Sequence, residues 1–248
     1  GFLGDEYTKN TIDYLHQSGG SERWINGIFF SGGFSIHYSG EVILRNSRIE
    51  GNHADDGVNF KYVHSVLIEN TLFQDNFADQ IDLDSSNGRV INSQFFNKQN
   101  TSLNGDGIDI SGSDVLISNS IFTGFNDKGI SSGERSNIIV HKCKLYNNNI
   151  GVAVKDLSHA FFVNVDFNNN YKDIAAYRKK RIFGGGYVHL ESLDLGKNKI
   201  TLDIDRQSRL FILDSQSRQK TSNFSPKTVD LELILKVFKE IKKHPHLK

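Results

Sequence analysis

Asp79, Asp82, Asp84, Asp106 and Asp109 are the residues of this chain whose types and spacing most clearly invite chemistry. They fall in two copies of one motif, Asp79-Gln80-Ile81-Asp82-Leu83-Asp84 and Asp106-Gly107-Ile108-Asp109-Ile110-Ser111. Carboxylates gathered this closely repel one another, so they bind a hard cation, share protons or recruit bases. Ligation by oxygen alone, with no Cys or His in the set, points to calcium rather than zinc. Bases stand in neighbouring copies of the motif: Lys61 before, Lys128 and Lys155 after, and the run Arg178-Lys179-Lys180-Arg181 further on. Asn59, Glu134 and Tyr177 occupy or follow equivalent positions and complete a candidate substrate-binding set with Lys61, Arg178 and Lys179. Plain surface ion pairing, at about 0–1 kcal/mol per pair, is the competing explanation. Asp before Gly is also ordinary turn chemistry. Concentration argues for a site: most of the other copies carry Lys, Ala or Ser where these two carry Asp.

Such a cluster forms only if a repeating fold stacks the copies. Segments beginning at Asn46, Asn70, Asn92, Asn119, Cys143 and Val165 recur every 22–27 residues. A second series keeps the same beat, from Gly57-Val58-Asn59-Phe60-Lys61 through Gly151-Val152-Ala153-Val154-Lys155 to Asp173-Ile174-Ala175-Ala176-Tyr177. Gly27-Ile28-Phe29-Phe30-Ser31 reads as an earlier, looser copy. Apolar residues alternate within each unit, which is strand periodicity, and Gly and Asn punctuate the strands. The unit length suits one coil of a parallel β-helix, while the L-x-x-L-x-L skeleton of a leucine-rich repeat is missing. Adjacent coils then lie about 4.8 Å apart, so Asp82 and Asp109 should be neighbours on one outward column. Asn46, Asn70, Asn92 and Asn119 form another column, in which stacked amides can bond up and down the stack. If that column points inward, Cys143 is a small buried filler rather than a reactive thiol.

The expected fold is therefore all-β, a single-stranded parallel β-helix over 1–224, regular from about 25 to 181 and degenerate over 182–224. Residues 225–248 form a separate unit, in which Leu233, Ile234, Val237, Phe238 and Ile241 have helical spacing before Pro245. A C-terminal α-helical cap on the coil stack is the expected role, with a Lys-rich opposite face.

Composition excludes several classes. One Cys builds no disulfide framework and no zinc site. Twenty-nine basic and 29 acidic residues cancel, so no global charge draws nucleic acid or an anionic membrane. No stretch approaches the ~18 apolar residues of a membrane span. The absence of Met and the start at Gly1 suggest a processed chain or a fragment of a larger one, with any export signal outside it. Gly184-Gly185-Gly186 lacks the residues of a phosphate loop and reads as a bend. His53 and His64 form no metal or catalytic pair and read as loop residues.

The segments Ala54–Lys61, Asp79–Asp84, Gly105–Ser111, Asp127–Ser131, Gly133–Ser136 and Lys155–Ser158 resemble the right-handed parallel β-helix proteins of the pectate-lyase-like superfamily, over about residues 25–215. They look most like a subgroup of secreted bacterial β-helix regions, some of them attached to larger surface proteins. The resemblance implies the right-handed coil and a secreted or cell-surface location, with a periplasmic one as the alternative. It also implies a partner, an extracellular acidic polysaccharide. In lyases of that superfamily, Asp-bound calcium neutralises a uronate carboxylate and a Lys or Arg removes the C5 proton. Carried over, Asp79, Asp82, Asp84, Asp106 and Asp109 match the calcium role in type, and Lys128 and Lys155 the base. Arg178 would bind a substrate carboxylate. A calcium-assisted lyase or C5 epimerase is thus the first expectation. A glycoside hydrolase using an Asp pair and a non-catalytic glycan- or protein-binding module are the alternatives. The chain departs from the alginate epimerases, whose Asp-Pro-His-Glu signature is absent: its only prolines are Pro226 and Pro245.

Overall fold

The computed structural model describes residues 1–98, 104–191 and 200–213. Three parallel sheets run the length of a solenoid, of nine, nine and seven strands. Each coil contributes one strand to each sheet in turn, so neighbours in a sheet are one coil apart in sequence. The third coil illustrates the unit, with strands Asp56–Lys61, Ser65–Glu69 and Leu72–Gln74.

Alternation within each strand divides core from surface. On the first sheet, Phe34, Val58, Ile81, Ile108, Ile130, Val152 and Ile174 occupy one inward column, in register strand by strand. The third sheet turns Ile49, Phe73, Phe95, Phe122, Leu145 and Phe167 inward. The rings of Phe73, Phe95 and Phe122 stack nearly parallel, at 5.0 and 4.5 Å between centroids. A one-residue slip would move every one of these side chains to the surface, so the pattern fixes the register.

The corners pose a second problem, because they bury backbone donors that no ladder satisfies. Small polar columns answer it. At the corner after the first sheet, the amides of Val63, Ser86, Ser113 and Ser136 donate to the hydroxyls of Ser86, Ser113, Ser136 and Ser158, at 2.8–3.1 Å. After the second sheet, Thr71 and Ser93 donate through their amides to Ser93 and Ser120. After the third sheet, buried amides take over: Asn52 bonds Asn76 at 2.7 Å and Asn148 bonds Asn170 at 3.0 Å.

Several sequence expectations change here. The column of Asn46, Asn70, Asn92 and Asn119 faces outward, not inward. All four hold positive φ, from 49° to 52°, in the turn after the second sheet. Asn tolerates that left-handed conformation better than most residues. One exposed amide rung, Asn70 to Asn46 at 3.3 Å, is present there. Lys142 and Asn164, not Cys143 and Val165, continue this positive-φ column. Cys143 belongs one residue along, in the inward column of Ser47, Thr71, Ser93 and Ser120, and is buried as a filler.

Gly27–Ser31 is not a coil copy either. Arg23–Ile25 and Ile28–Phe30 form an antiparallel hairpin around Asn26-Gly27, both at positive φ. Asn-Gly is the preferred dipeptide of that turn. The looser copy is the next strand, Gly32–His37, and coils begin before residue 25, with Phe2–Leu3 and Lys9–Asp13 in the first two sheets. After residue 181, Tyr187–Glu191, Leu202–Ile204 and Arg209–Leu213 extend the first two sheets. Gly186 lies against the preceding coil: a Cβ there would stand 2.2 Å from the Val154 carbonyl oxygen. The expected helix at 225–248 lies outside the described residues. No helix among the described residues is long and apolar enough to cross a membrane.

Candidate functional site

Parallel register on the first sheet brings the acidic residues together. Asn59, Asp82, Asp109, Ser131, Ala153 and Ala175 stand side by side on consecutive strands. Lys61, Asp84, Ser111 and Gly133 form the next outward column, and further along it Lys155 pairs with Tyr177. At the strand starts, Asp56 pairs with Asp79. Asp106 follows at the next coil, its amide donating to Asp79 Oδ1 at 2.7 Å, and Lys128 follows Asp106, its amide donating to Asp106 Oδ1 at 3.0 Å.

Outward does not mean solvated here. Asn59, Asp56, Asp106, Ser131, Lys128 and Lys155 are all buried, while Asp79, Asp82 and Asp109 keep partial access to solvent. Asp82 Oδ2 accepts from Asn59 Nδ2 at 2.9 Å, and Asn59 Oδ1 lies 2.8 Å from His37 Nε2. Burial holds His37 below the usual imidazole range, so it is the neutral ring that orients Asn59. Asp56 Oδ2 accepts from the Ser31 hydroxyl at 2.6 Å. Lys155 Nζ lies 2.6 Å from Ser131 Oγ and 3.7 Å from Asp109 Oδ1. Lys128 Nζ lies 3.1 and 3.2 Å from the two oxygens of Asp106 and also bonds Asp127.

These surroundings give like residues unlike protonation. Burial, then the charges of Asp56, Asp84 and Asp109, push Asp82 well above the ordinary carboxylate range. Burial and Asp106 do the same to Asp79. Burial also raises Asp56, to about 7. For Asp109, burial opposes ionisation, but Lys155, the Ser131 hydroxyl and Lys128 outweigh it and hold the group below its usual value. Burial raises Asp106 to about 7 against the pull of Lys128, yet both its oxygens face that one ammonium, which is the geometry of an ion pair. Burial disfavours the charge on Lys128, yet Asp106 and Asp127 overcome that and hold it above the lysine range.

The residues expected from sequence thus divide. Carboxylate oxygens of Asp79, Asp106 and Asp109 lie within 4.8 Å of one another. Asp82 stands beside them in the Asp109 column, but Asp84 is drawn off by Lys61 at 3.4 Å. Glu134 is bonded by Lys180 in an ion pair that is exposed to solvent on both sides. The basic loop is anchored by its backbone: the amides of Lys179 and Lys180 donate to Asp156 Oδ1 at 2.8 Å, and that of Arg178 to Asp205 Oδ2 at 2.9 Å. Arg178 and Lys179 are exposed beyond the half-buried Tyr177. His53 and His64 lie exposed in turns. Sequence reasoning passed over His37, Ser131 and Asp156. His37 would have emerged from placing the looser copy at Gly32–His37, which aligns it with Lys61.

The oxygen set suits a hard cation in type, but part of its acceptor set is already engaged. Asp106 is held by Lys128, Asp79 Oδ1 accepts from the Asp106 amide, and Asp109 Oδ1 accepts from the Ile110 amide at 3.1 Å with Lys155 nearby. A calcium ion needs ~6–8 oxygen ligands. To bind here it would have to displace an ammonium, so the residues do not fit it well.

A solenoid of three parallel sheets, with an acid–base cluster along one of them, is the architecture of a parallel β-helix protein. The model of the family described as right handed beta helix region matches residues 9–103 and 97–182, and the chain belongs to that family. Metabotropic glutamate receptor-like protein P of Dictyostelium discoideum is 23% identical over 239 residues, covering 81% of this chain. The match spans only 16% of that relative's length. The crystal structure of pectate lyase Pel9A aligns over 91% of this chain and 60% of its own, at 13% identity and a TM-score of 0.46.

Proposed function

We propose that the outward face of the first sheet binds an acidic polysaccharide and cleaves it by carboxylate acid–base chemistry. The observation that carries this reading is the Asp82–Asp109 pair: adjacent in register, one favoured as the acid and one as the carboxylate. Neighbouring strands are about 4.8 Å apart. Retaining glycosidases use two carboxyl groups at about 5–5.5 Å, one donating a proton to the leaving oxygen and one attacking the sugar. Asp82, oriented by Asn59 and His37, takes the proton-donor role. Asp109, kept ionised beside Lys155, takes the nucleophile role. Arg178 and Lys179 offer charge-assisted hydrogen bonds to the substrate's carboxylates. Substrates of this kind lie outside cells, so the proposal carries a secreted or cell-surface location with it.

The calcium-assisted lyase or C5 epimerase draws less support. Its base would be Lys128 or Lys155, and Lys128 is locked as an ammonium between two carboxylates. The test is to incubate the protein with polygalacturonate and alginate, with and without chelator, and to follow both products. Hydrolysis releases reducing ends without ultraviolet absorbance and ignores the chelator. An absorbing, unsaturated product that vanishes with chelator would establish the lyase instead. Binding without turnover would leave a glycan-binding module.

A further inference from the structure

We infer that Lys128 is the built-in cation of the acidic row, holding the position a divalent metal ion would otherwise take and leaving the site metal-independent. The register puts Lys128 at the same strand-start position as Asp56, Asp79 and Asp106, one coil further on. Its side chain is only 8% exposed, and that of Asp106 only 5%. A lysine ammonium has three donors. Here three carboxylate oxygens meet them: both oxygens of Asp106, at 3.1 and 3.2 Å, and one of Asp127. The backbone amide of the same residue also binds Asp106, which fixes the carboxylate from two sides. Lys155 supplies a second ammonium, 3.7 Å from Asp109 and 4% exposed. Two of the three clustered carboxylates therefore have a resident cation, and the third, Asp79, accepts the Asp106 amide through Oδ1.

A bare acidic cluster and this one respond oppositely to added metal. A buried carboxylate whose partner is removed is left uncompensated and will take a cation that fits. Losing the Lys128 ammonium frees Asp106 Oδ2 and Asp127 and leaves Asp106 Oδ1 with the backbone amide alone, beside Asp79 and Asp109, an oxygen-only set of the kind calcium uses.

The test is calorimetric titration of the full chain with calcium, paired with terbium luminescence, on wild type, Lys128→Met and Lys128→Gln. This inference shares its residues with the proposed hydrolytic face, but the titration needs no glycan, so either can fail alone. Wild type should show no saturable binding at millimolar calcium. The Lys128 variants should gain a one-to-one site at least tenfold tighter than any residual wild-type binding, and Lys128→Met/Asp106→Asn should lose it. Stoichiometric binding by wild type, abolished in Asp106→Asn, would overturn the inference. So would a folded Lys128 variant with no gain. Should neither Lys128 variant fold, the wild-type and Asp106→Asn titrations decide alone.

Discussion

Asp82 and Asp109 are identical side chains on adjacent strands, and only their neighbours make them chemically distinct. Asp82 has an amide donor and three nearby carboxylates; Asp109 has Lys155 and a hydroxyl. The same logic yields a pH dependence of stability. The folded-state pKa of Asp56 is raised to about 7, from an ordinary value near 3.8. The stabilisation linked to its proton is complete below the lower value and is lost as pH rises through the upper one. Asp56→Asn should therefore raise the melting temperature more at pH 8 than at pH 4, by the equivalent of about 1–3 kcal/mol. Equal shifts at both pH values would contradict the assignment. At Cys143, burial pushes the thiol up to about 12, and its Sγ faces the carbonyls of Ile117 and His141. The native protein should resist thiol reagents that label the denatured chain at once. Most of the acidic row was legible in the sequence because parallel register converts a fixed repeat into a column. The protonation states were not legible, since they depend on burial and on which ammonium reaches which oxygen. Alternation assigned Lys155 to the surface, yet its side chain lies flat and buried against Ser131.

At the scale of the element, each coil is held by a stacked core column and by polar ladders at its corners. Phe95 lies between Phe73 and Phe122 and is fully buried. Phe95→Ala should cost about 3–5 kcal/mol, by the cavity it leaves and the two ring contacts it removes. Denaturant unfolding would check this; a loss under ~1 kcal/mol would mean that the stack is not a structural spine. The strands themselves were legible from alternation and punctuation. The corners were less so. An Asn before most of the third-sheet strands invites an inward amide ladder, but those asparagines serve the left-handed turn. The residue that follows, Ser or Thr, does the buried hydrogen bonding. The Asn26-Gly27 hairpin signal was present but was masked by an apparent motif match in the wrong phase.

At the scale of the whole molecule, a solenoid converts sequence spacing into a long flat face, with the acidic row in the middle coils and the basic loop further down. The proposed polysaccharide ligand suits such a face, because successive coils can contact successive residues of a polymer. The measurement that tests this account most directly is the rate of reducing-end release from uronate polysaccharides by wild type, Asp82→Asn and Asp109→Asn, all in chelator. The expected result is turnover by wild type and a fall of about 10²–10⁴-fold in each variant, with the fold and glycan binding retained. Wild-type turnover that persists unchanged in both variants would contradict it, as would turnover that appears only when calcium is restored.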